Sequence, residues 1–350
     1  MRFLVFITVF SVVMFAYPVW RLCDWLQVPA AWQIVLTLLL FSSQFAARFV
    51  LRDNISRPTY LYRRGADFFL GMSPVLFSLV LIVEIANWLL GLSAHSMHIL
   101  ALGVLAITLI AGIWGLSVAW KPDIIKVRIT SDKLGRPVRF VQISDVHIGS
   151  RTVRFLEKTI QRVVEQDADF LCITGDFIDQ PGITEDKLSA LKNFTRPIYY
   201  CIGNHERYED LEAIVARLES LGVVVLRNRA VVADGIQFIG IDDHESPEQV
   251  SSVLPTIDVL KNAFSILLYH RPEGIEAAQA HGVDLKLSGH THNGQIVPFN
   301  KAVGTRFKFT KGLYPFKGSY LYVNEGTGTW GPTLRLGTRS EITVFELTPS

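Results

Sequence analysis

The chain has 350 residues, of which 49% are hydrophobic and only 19% charged, and its mean hydropathy is +0.30. A soluble domain carries about 25% charged residues, so this composition excludes a uniformly soluble chain; the apolar excess sits in residues 1–120, and 121–350 read as an ordinary soluble domain. A net charge of +2 is too small for a nucleic-acid footprint, and three widely spaced cysteines, Cys23, Cys172 and Cys201, support neither a disulfide framework nor a zinc–cysteine site.

In chain order, four apolar stretches come first: about 3–20, 26–47, 68–90 and 97–120, the last two divided at Gly91–Ser96. A membrane helix needs roughly 20 apolar residues, so four transmembrane helices are predicted over 1–120. The first is too long for the apolar region of a cleaved signal and no small-residue cleavage site follows it. Basic residues cluster at Arg48, Arg52, Arg57, Arg63 and Arg64, and again after residue 120 at Lys121, Lys126, Arg128 and Lys133. Positive residues in short loops face the cytoplasm, which puts the C-terminal domain on the inner face of a bacterial plasma membrane, with the lipid bilayer as its first partner. Trp20, Trp25, Trp32, Trp88 and Trp120 fall near span ends, as interfacial aromatic residues do. Glu84 is the one acid deep in a span; it is expected to face a neighbouring helix or to reach a helix end beside Asn87.

From residue 138 a pattern recurs: a short apolar, β-rich run ends and polar residues follow at once. Val138–Ser144 precedes Asp145 and His147; Phe170–Thr174 precedes Gly175-Asp176; Ile198–Ile202 precedes Gly203-Asn204-His205; Ser265–Tyr269 precedes His270; Asp284–Ser288 precedes Gly289-His290-Thr291-His292. Such runs predict buried strands. Helical stripes lie between them, over Thr152–Gln166 and Tyr208–Leu221, which together predict a mainly α/β domain with a buried sheet. Ligand sites in such sheets form outside the carboxyl ends of the strands, so Asp145, His147, Asp176, Asn204, His205, His270, His290 and His292 are expected to gather at one edge.

Imidazoles with carboxylates and one amide oxygen suit manganese, iron or zinc. The set is too rich in nitrogen for calcium or magnesium and too large for one tetrahedral ion. Two divalent ions sharing a carboxylate fit the number better, and paired metals about 3.5–4 Å apart supply a nucleophilic hydroxide near neutral pH and clamp phosphoryl oxygens. Each motif alone is weak; the ordered series, every piece after a strand, carries the reading. Gly175, Gly203 and Gly289 are expected to let the backbone turn sharply at the strand ends. Asp242, Asp243 and His244 also follow an apolar run, Gln237–Ile241, and are left outside the site as a self-satisfied polar loop.

The series Asp145-Val146-His147, Gly175-Asp176, Gly203-Asn204-His205-Glu206, His270 and Gly289-His290-Thr291-His292 resembles the signature of the calcineurin-like metallophosphoesterase superfamily. Gly294-Gln295 and Gly326–Pro332 look like a membrane-associated bacterial branch. The resemblance covers about 121–350 and implies two packed, mostly parallel or mixed sheets flanked by helices. It implies Asp145, His147 and His292 on one metal, Asn204, His270 and His290 on the other, and Asp176 bridging them. His205 would not be a ligand but would serve the leaving oxygen, with Glu206 orienting it. Asn293, where the branch commonly has glycine, is expected to accept a left-handed turn. The implied activity is hydrolysis of a phosphodiester, phosphomonoester or pyrophosphate in a phosphorylated small molecule or lipid, a UDP-diacylglucosamine pyrophosphatase being the lipid-pathway alternative. A receptor that keeps the metals only for binding is the alternative of another class. The segment 299–317 interleaves phenylalanine and tyrosine with lysine and arginine, which reads either as a lip for an anionic lipid surface or as a plain surface hairpin or loop.

Overall fold

A computed structural model describes residues 11–51 and 57–350. It divides into two compact units: the residues up to Ser117 together with Gly331–Leu334, and Val118–Trp330 together with Arg335–Ser350.

In the first unit two helices among the described residues are long and apolar enough to cross a membrane, Arg57–Leu90 (34 residues) and Ala94–Trp120 (27 residues). At 1.5 Å per residue they reach about 51 and 40 Å, more than the roughly 30 Å of a hydrocarbon core. Four such helices were expected, and the difference has a physical cause. The stretch 26–47 forms a helix only over Ala30–Phe45, 16 residues, and then passes into a π-helical turn, Ala46–Val50. Its buried residues are Gln33, Thr37 and Ser43, a polar stripe turned to protein; the Gln33 amide donates to the Trp20 carbonyl at 3.0 Å. Of the first expected span, residues 3–10 lie outside the described residues, and the remainder is a π-helical turn, Val12–Ala16, running into the helix Tyr17–Trp25. Arg52 also lies outside them. Trp25 is buried, at 6% exposure, so the interfacial reading fails for that residue, whereas Trp88 is 83% exposed. Glu84 does face a neighbouring helix: it pairs with Arg21, whose Nη1 also donates to Asp24 at 2.8 Å. Asn87 accepts from the Leu92 amide just past the helix end.

The second unit holds two six-stranded sheets. Their strands are β1 (Asp123–Ser131), β2 (Val138–Ile143), β3 (Phe170–Thr174), β4 (Ile198–Cys201), β5 (Val223–Val225), β6 (Arg229–Ala233), β7 (Ile236–Gly240), β8 (Phe264–Leu268), β9 (Leu285–Ser288), β10 (Gly312–Phe316), β11 (Ser319–Val323) and β12 (Glu341–Pro349). One sheet runs β1-β12-β2-β3-β4-β5, the other β10-β11-β9-β8-β7-β6. β2 through β5 are mutually parallel, as are β7, β8, β9 and β11, and antiparallel pairs join β12 to β2, β10 to β11 and β6 to β7. The expected mixed sheets are therefore present. Aromatic rings fill the space between them: Phe140 stacks on Phe345 at 4.5 Å, and Tyr199 of one sheet stacks on Phe238 of the other at 3.7 Å. The helix Val153–Val164 turns Phe155, Leu156, Ile160 and Val163 onto the outer face of the first sheet, the stripe its periodicity foretold.

Alternation along β9 sends Leu285 and Leu287 into the space between the sheets and Lys286 to the opposite face. Lys286 is fully buried there; its ammonium donates to the Arg271 carbonyl at 2.7 Å, and burial pulls its pKa down to about 7. Nothing in the sequence separates this lysine from a strand end in water.

Candidate metal centre

Because β2, β3, β4, β8 and β9 run parallel within their sheets, their carboxyl ends deliver polar loops to one edge. Two trios that share no residue form there, and a third group, His147, Asp179 and His205, shares His147 with the first. The ligating atoms of Asp145, His147 and His292 lie within 4.8 Å of one another, and so do those of Asp176, His270 and His290. In the first trio, His292 Nε2 sits 3.2 Å from His147 Nε2 and 3.3 Å from Asp145 Oδ1. In the second, His270 Nε2 sits 3.1 Å from Asp176 Oδ2 and 3.2 Å from His290 Nδ1. Every side chain in these trios but His290 is below 9% exposed, and Asp145, His147 and His270 are at 0%.

The backbone is bent to bring them together. Asp145 (φ 53°), His147 (φ 55°), Asp176 (φ 48°), His290 (φ 70°) and His292 (φ 47°) all occupy the left-handed region. Such strain persists only where the surroundings enforce it, and it clusters at functional sites. Asn293 is left-handed as well (φ 47°), as expected, and its amide donates to Glu325 at 2.8 Å. Of the three glycines, only Gly175 has positive φ. Gly203 is needed for space instead: a Cβ there would stand 2.2 Å from Asp176 Oδ1.

The donor set fits cations. Facing imidazole nitrogens 3.2 Å apart need a proton or a metal between them. Asn204 Oδ1 is buried with no hydrogen-bond partner, a costly vacancy for an acceptor unless it ligates something. Burial opposes ionisation of Asp145 and Asp176, yet the histidines beside them hold both carboxyls well below the usual range. Burial likewise lowers His270, but the Asp176 charge overrides it and raises the ring to about 10. His270 Nδ1 meets the Thr174 carbonyl at 2.8 Å, which turns Nε2 toward Asp176 and His290, where a metal would take the place of its proton.

His205 stands outside those two trios, but its ring nitrogen lies within 4.8 Å of ligating atoms of His147 and Asp179 in the third group. Its ring meets His147 edge-on at 4.7 Å, and it is flanked by Tyr208 at 5.8 Å and Trp330 at 6.3 Å. Burial lowers its pKa, so the ring is neutral at pH 7. Its backbone N–H donates to Asp176 Oδ1 at 2.8 Å.

Sequence reasoning missed several supports. Glu206 was expected to orient His205; its buried carboxylate accepts from the amides of Gly203 (2.8 Å), Asp176 (3.1 Å), Phe177 (2.6 Å) and Ile178 (2.9 Å), locking two strand-end loops together. Burial and the Asp176 charge push its carboxyl up to about 7, while those amides pull the other way. Asp179 Oδ2 lies 3.4 Å from His147 Nδ1; its place three residues after Asp176, past a buried strand, is a signal that was available. Asp242 and Asp243 are held by arginine side chains, Arg227 (3.0 Å) and Arg271 (2.8 Å) respectively, rather than by their own backbone alone. Segment 299–317 is a helix, Phe299–Arg306, followed by β10.

The family model for calcineurin-like phosphoesterases matches residues 138–294. Metallophosphoesterase YkuE of Bacillus subtilis is 33% identical over 227 residues, 60% of this chain and 78% of that one. An uncharacterized metallophosphoesterase of Helicobacter pylori is 33% identical over 246 residues, and the match spans 65% of each chain. A zebrafish protein named as a transmembrane protein with a metallophosphoesterase domain is 31% identical over 274 residues, 69% of this chain and 61% of its own length.

Proposed function

We propose that this chain, which belongs to the calcineurin-like phosphoesterase family, is a membrane-anchored hydrolase of phosphoesters that works with two divalent metals. The observation that carries the reading is the pair of buried trios with the orphaned Asn204 oxygen beside them. Asp145, His147 and His292 would hold one ion, Asn204, His270 and His290 the other, and Asp176 would serve both. Manganese, iron or zinc suits these donors, and such a pair supplies a nucleophile at neutral pH and neutralises charge on the phosphoryl oxygens. The protein's own share is positional. Left-handed loops aim the donors, and Glu206 holds the Asp176 and Asn204 loops in register. His205, neutral and half-buried, offers an N–H where the leaving oxygen departs. Hydrolysis of bis-p-nitrophenyl phosphate by detergent-purified protein with added manganese tests the reading. Absence of turnover in protein shown to hold two ions would favour the binding-only alternative.

A lipid-linked or otherwise apolar substrate is favoured by a cleft of about 400 Å³ lined by Pro272, Ala277, Phe307 and Phe309, with Arg306 and Lys308 at its edge. Phe307, one wall of the cleft, meets His290 of the second trio edge-on at 5.3 Å. Those cations sit 4.0 and 3.9 Å from Glu273 and Glu276, loose enough to turn to a phosphate. Filling the cleft with Ala277→Trp is expected to raise KM about tenfold for p-nitrophenyl dodecyl phosphate, since two buried methylenes are worth about 1.6 kcal/mol. KM for p-nitrophenyl ethyl phosphate should not move; equal effects on both esters would remove the cleft from substrate binding. Turnover of UDP-diacylglucosamine would place the enzyme in a lipid pathway.

The two long helices form an out-and-back pair in sequence. Arg57, Arg63 and Arg64 begin one, and Lys121 follows the other. Positive residues at those ends put the metal-bearing domain on the cytoplasmic face. A cysteine introduced at Ser93 should react with an impermeant thiol reagent in intact cells and one at Ser350 should not; the reverse pattern inverts the topology.

A further inference from the structure

Arg335 is fully buried and no part of the reaction described above uses it. It lies 43 positions from the residue it grips. Nη1 donates to the His292 carbonyl at 3.1 Å, and Nη2 lies 3.1 Å from His292 Nδ1. Nη2 also reaches the carbonyls of Glu325 (2.6 Å), Gly326 (3.1 Å) and Gly328 (2.9 Å). The turn bearing those carbonyls packs on the strand end that carries Asp145: the Gly328 amide donates to the Asp145 carbonyl at 3.0 Å, and the Thr327 amide to that of Ser144 at 2.7 Å. There is no spare room, since a Cβ at Gly326 would lie 2.9 Å from His292 Nδ1 and one at Gly328 would lie 2.3 Å from the Val146 carbonyl oxygen.

A histidine that ligates a metal usually donates its far N–H to a carbonyl or carboxylate, as His270 does to Thr174 in the second trio. At His292 the neighbour is a buried guanidinium, whose fork holds the His292 main-chain carbonyl with one nitrogen and the carbonyls of Glu325, Gly326 and Gly328 with the other. One planar fork thus ties the ligand's own loop to the turn packed on Asp145, which a single ammonium cannot do.

We infer that Arg335 is a positioning residue for the first trio: by holding the His292 carbonyl together with the turn that packs on Asp145, it sets whether an ion is retained between Asp145, His147 and His292. The inference rests on the two-metal reading above, and it makes the two positions separable. Full-length protein in detergent would be loaded with manganese, passed through a desalting column and assayed for bound metal over a range of free manganese. The wild type is expected to keep two ions per chain. Arg335→Gln is expected to keep one, the second returning only at free manganese raised by about 10–100-fold, the usual effect of losing an outer partner of a ligand. Arg335→Lys retains the charge without the fork and should show the same split to a smaller degree; it becomes the deciding variant if Arg335→Gln fails to fold. Two ions held at wild-type affinity in the variants, or both positions weakened in parallel, would overturn the inference. A wild type holding fewer than two ions would overturn both this and the reading beneath it.

Discussion

Asp176→Ala is expected to abolish turnover and to release metal from the site. The carboxylate meets His270 Nε2 at 3.1 Å through one oxygen and the His205 amide at 2.8 Å through the other, and its charge acts on His147 as well. Its removal takes a ligand from the second trio, the shared charge from the first and the backbone anchor of the His205 loop. A loss of at least about 10⁴-fold in kcat/KM, some 5.5 kcal/mol of transition-state stabilisation at 1.36 kcal/mol per tenfold, follows. Metal analysis beside the rate measurement decides the cause: full activity, or lost activity with both ions still bound, would contradict the role given to Asp176.

His205→Ala separates chemistry from metal retention. Its ring belongs to neither trio and stands against His147 at 4.7 Å, beside the exposed Tyr208 and Trp330. A group that serves the leaving oxygen contributes about 10²–10⁴-fold, so kcat should fall by that much while two ions stay bound. The loss should shrink for p-nitrophenol, a good leaving group, and grow for an alkyl alcohol, whose leaving oxygen carries more charge for the N–H to meet. An emptied metal site in His205→Ala would make this histidine a ligand instead.

Much of the site was legible because each donor follows a buried strand that parallel pairing sends to the same edge; β3 was located to the residue, and the others to within one. Local order of that kind is written in spacing. What spacing does not write was missed. Glu206 was visible, but its work, four amides drawn from two loops, appears only when β3 and β4 lie side by side. Arg335 carries no positional signal at all, since the fold alone returns it to His292. In the membrane region two of the four expected spans are long apolar helices among the described residues. For 26–47 hydropathy registers an apolar run without asking what its few polar residues touch, and Gln33 and Ser43 are buried in the 16-residue helix there.

Each trio draws from both sheets. Asp145 and His147 follow β2 of the first sheet and His292 follows β9 of the second; Asp176 follows β3, whereas His270 and His290 follow β8 and β9. Ions held there are therefore rivets across the aromatic seam in which Tyr199 stacks on Phe238. A ligand bound only by the folded chain adds RT ln(1 + [L]/Kd), about 2.7 kcal/mol per site at a hundredfold excess over Kd. In this architecture that increment resists the parting of the sheets, so a chelator weakens the domain's shell along with its chemistry.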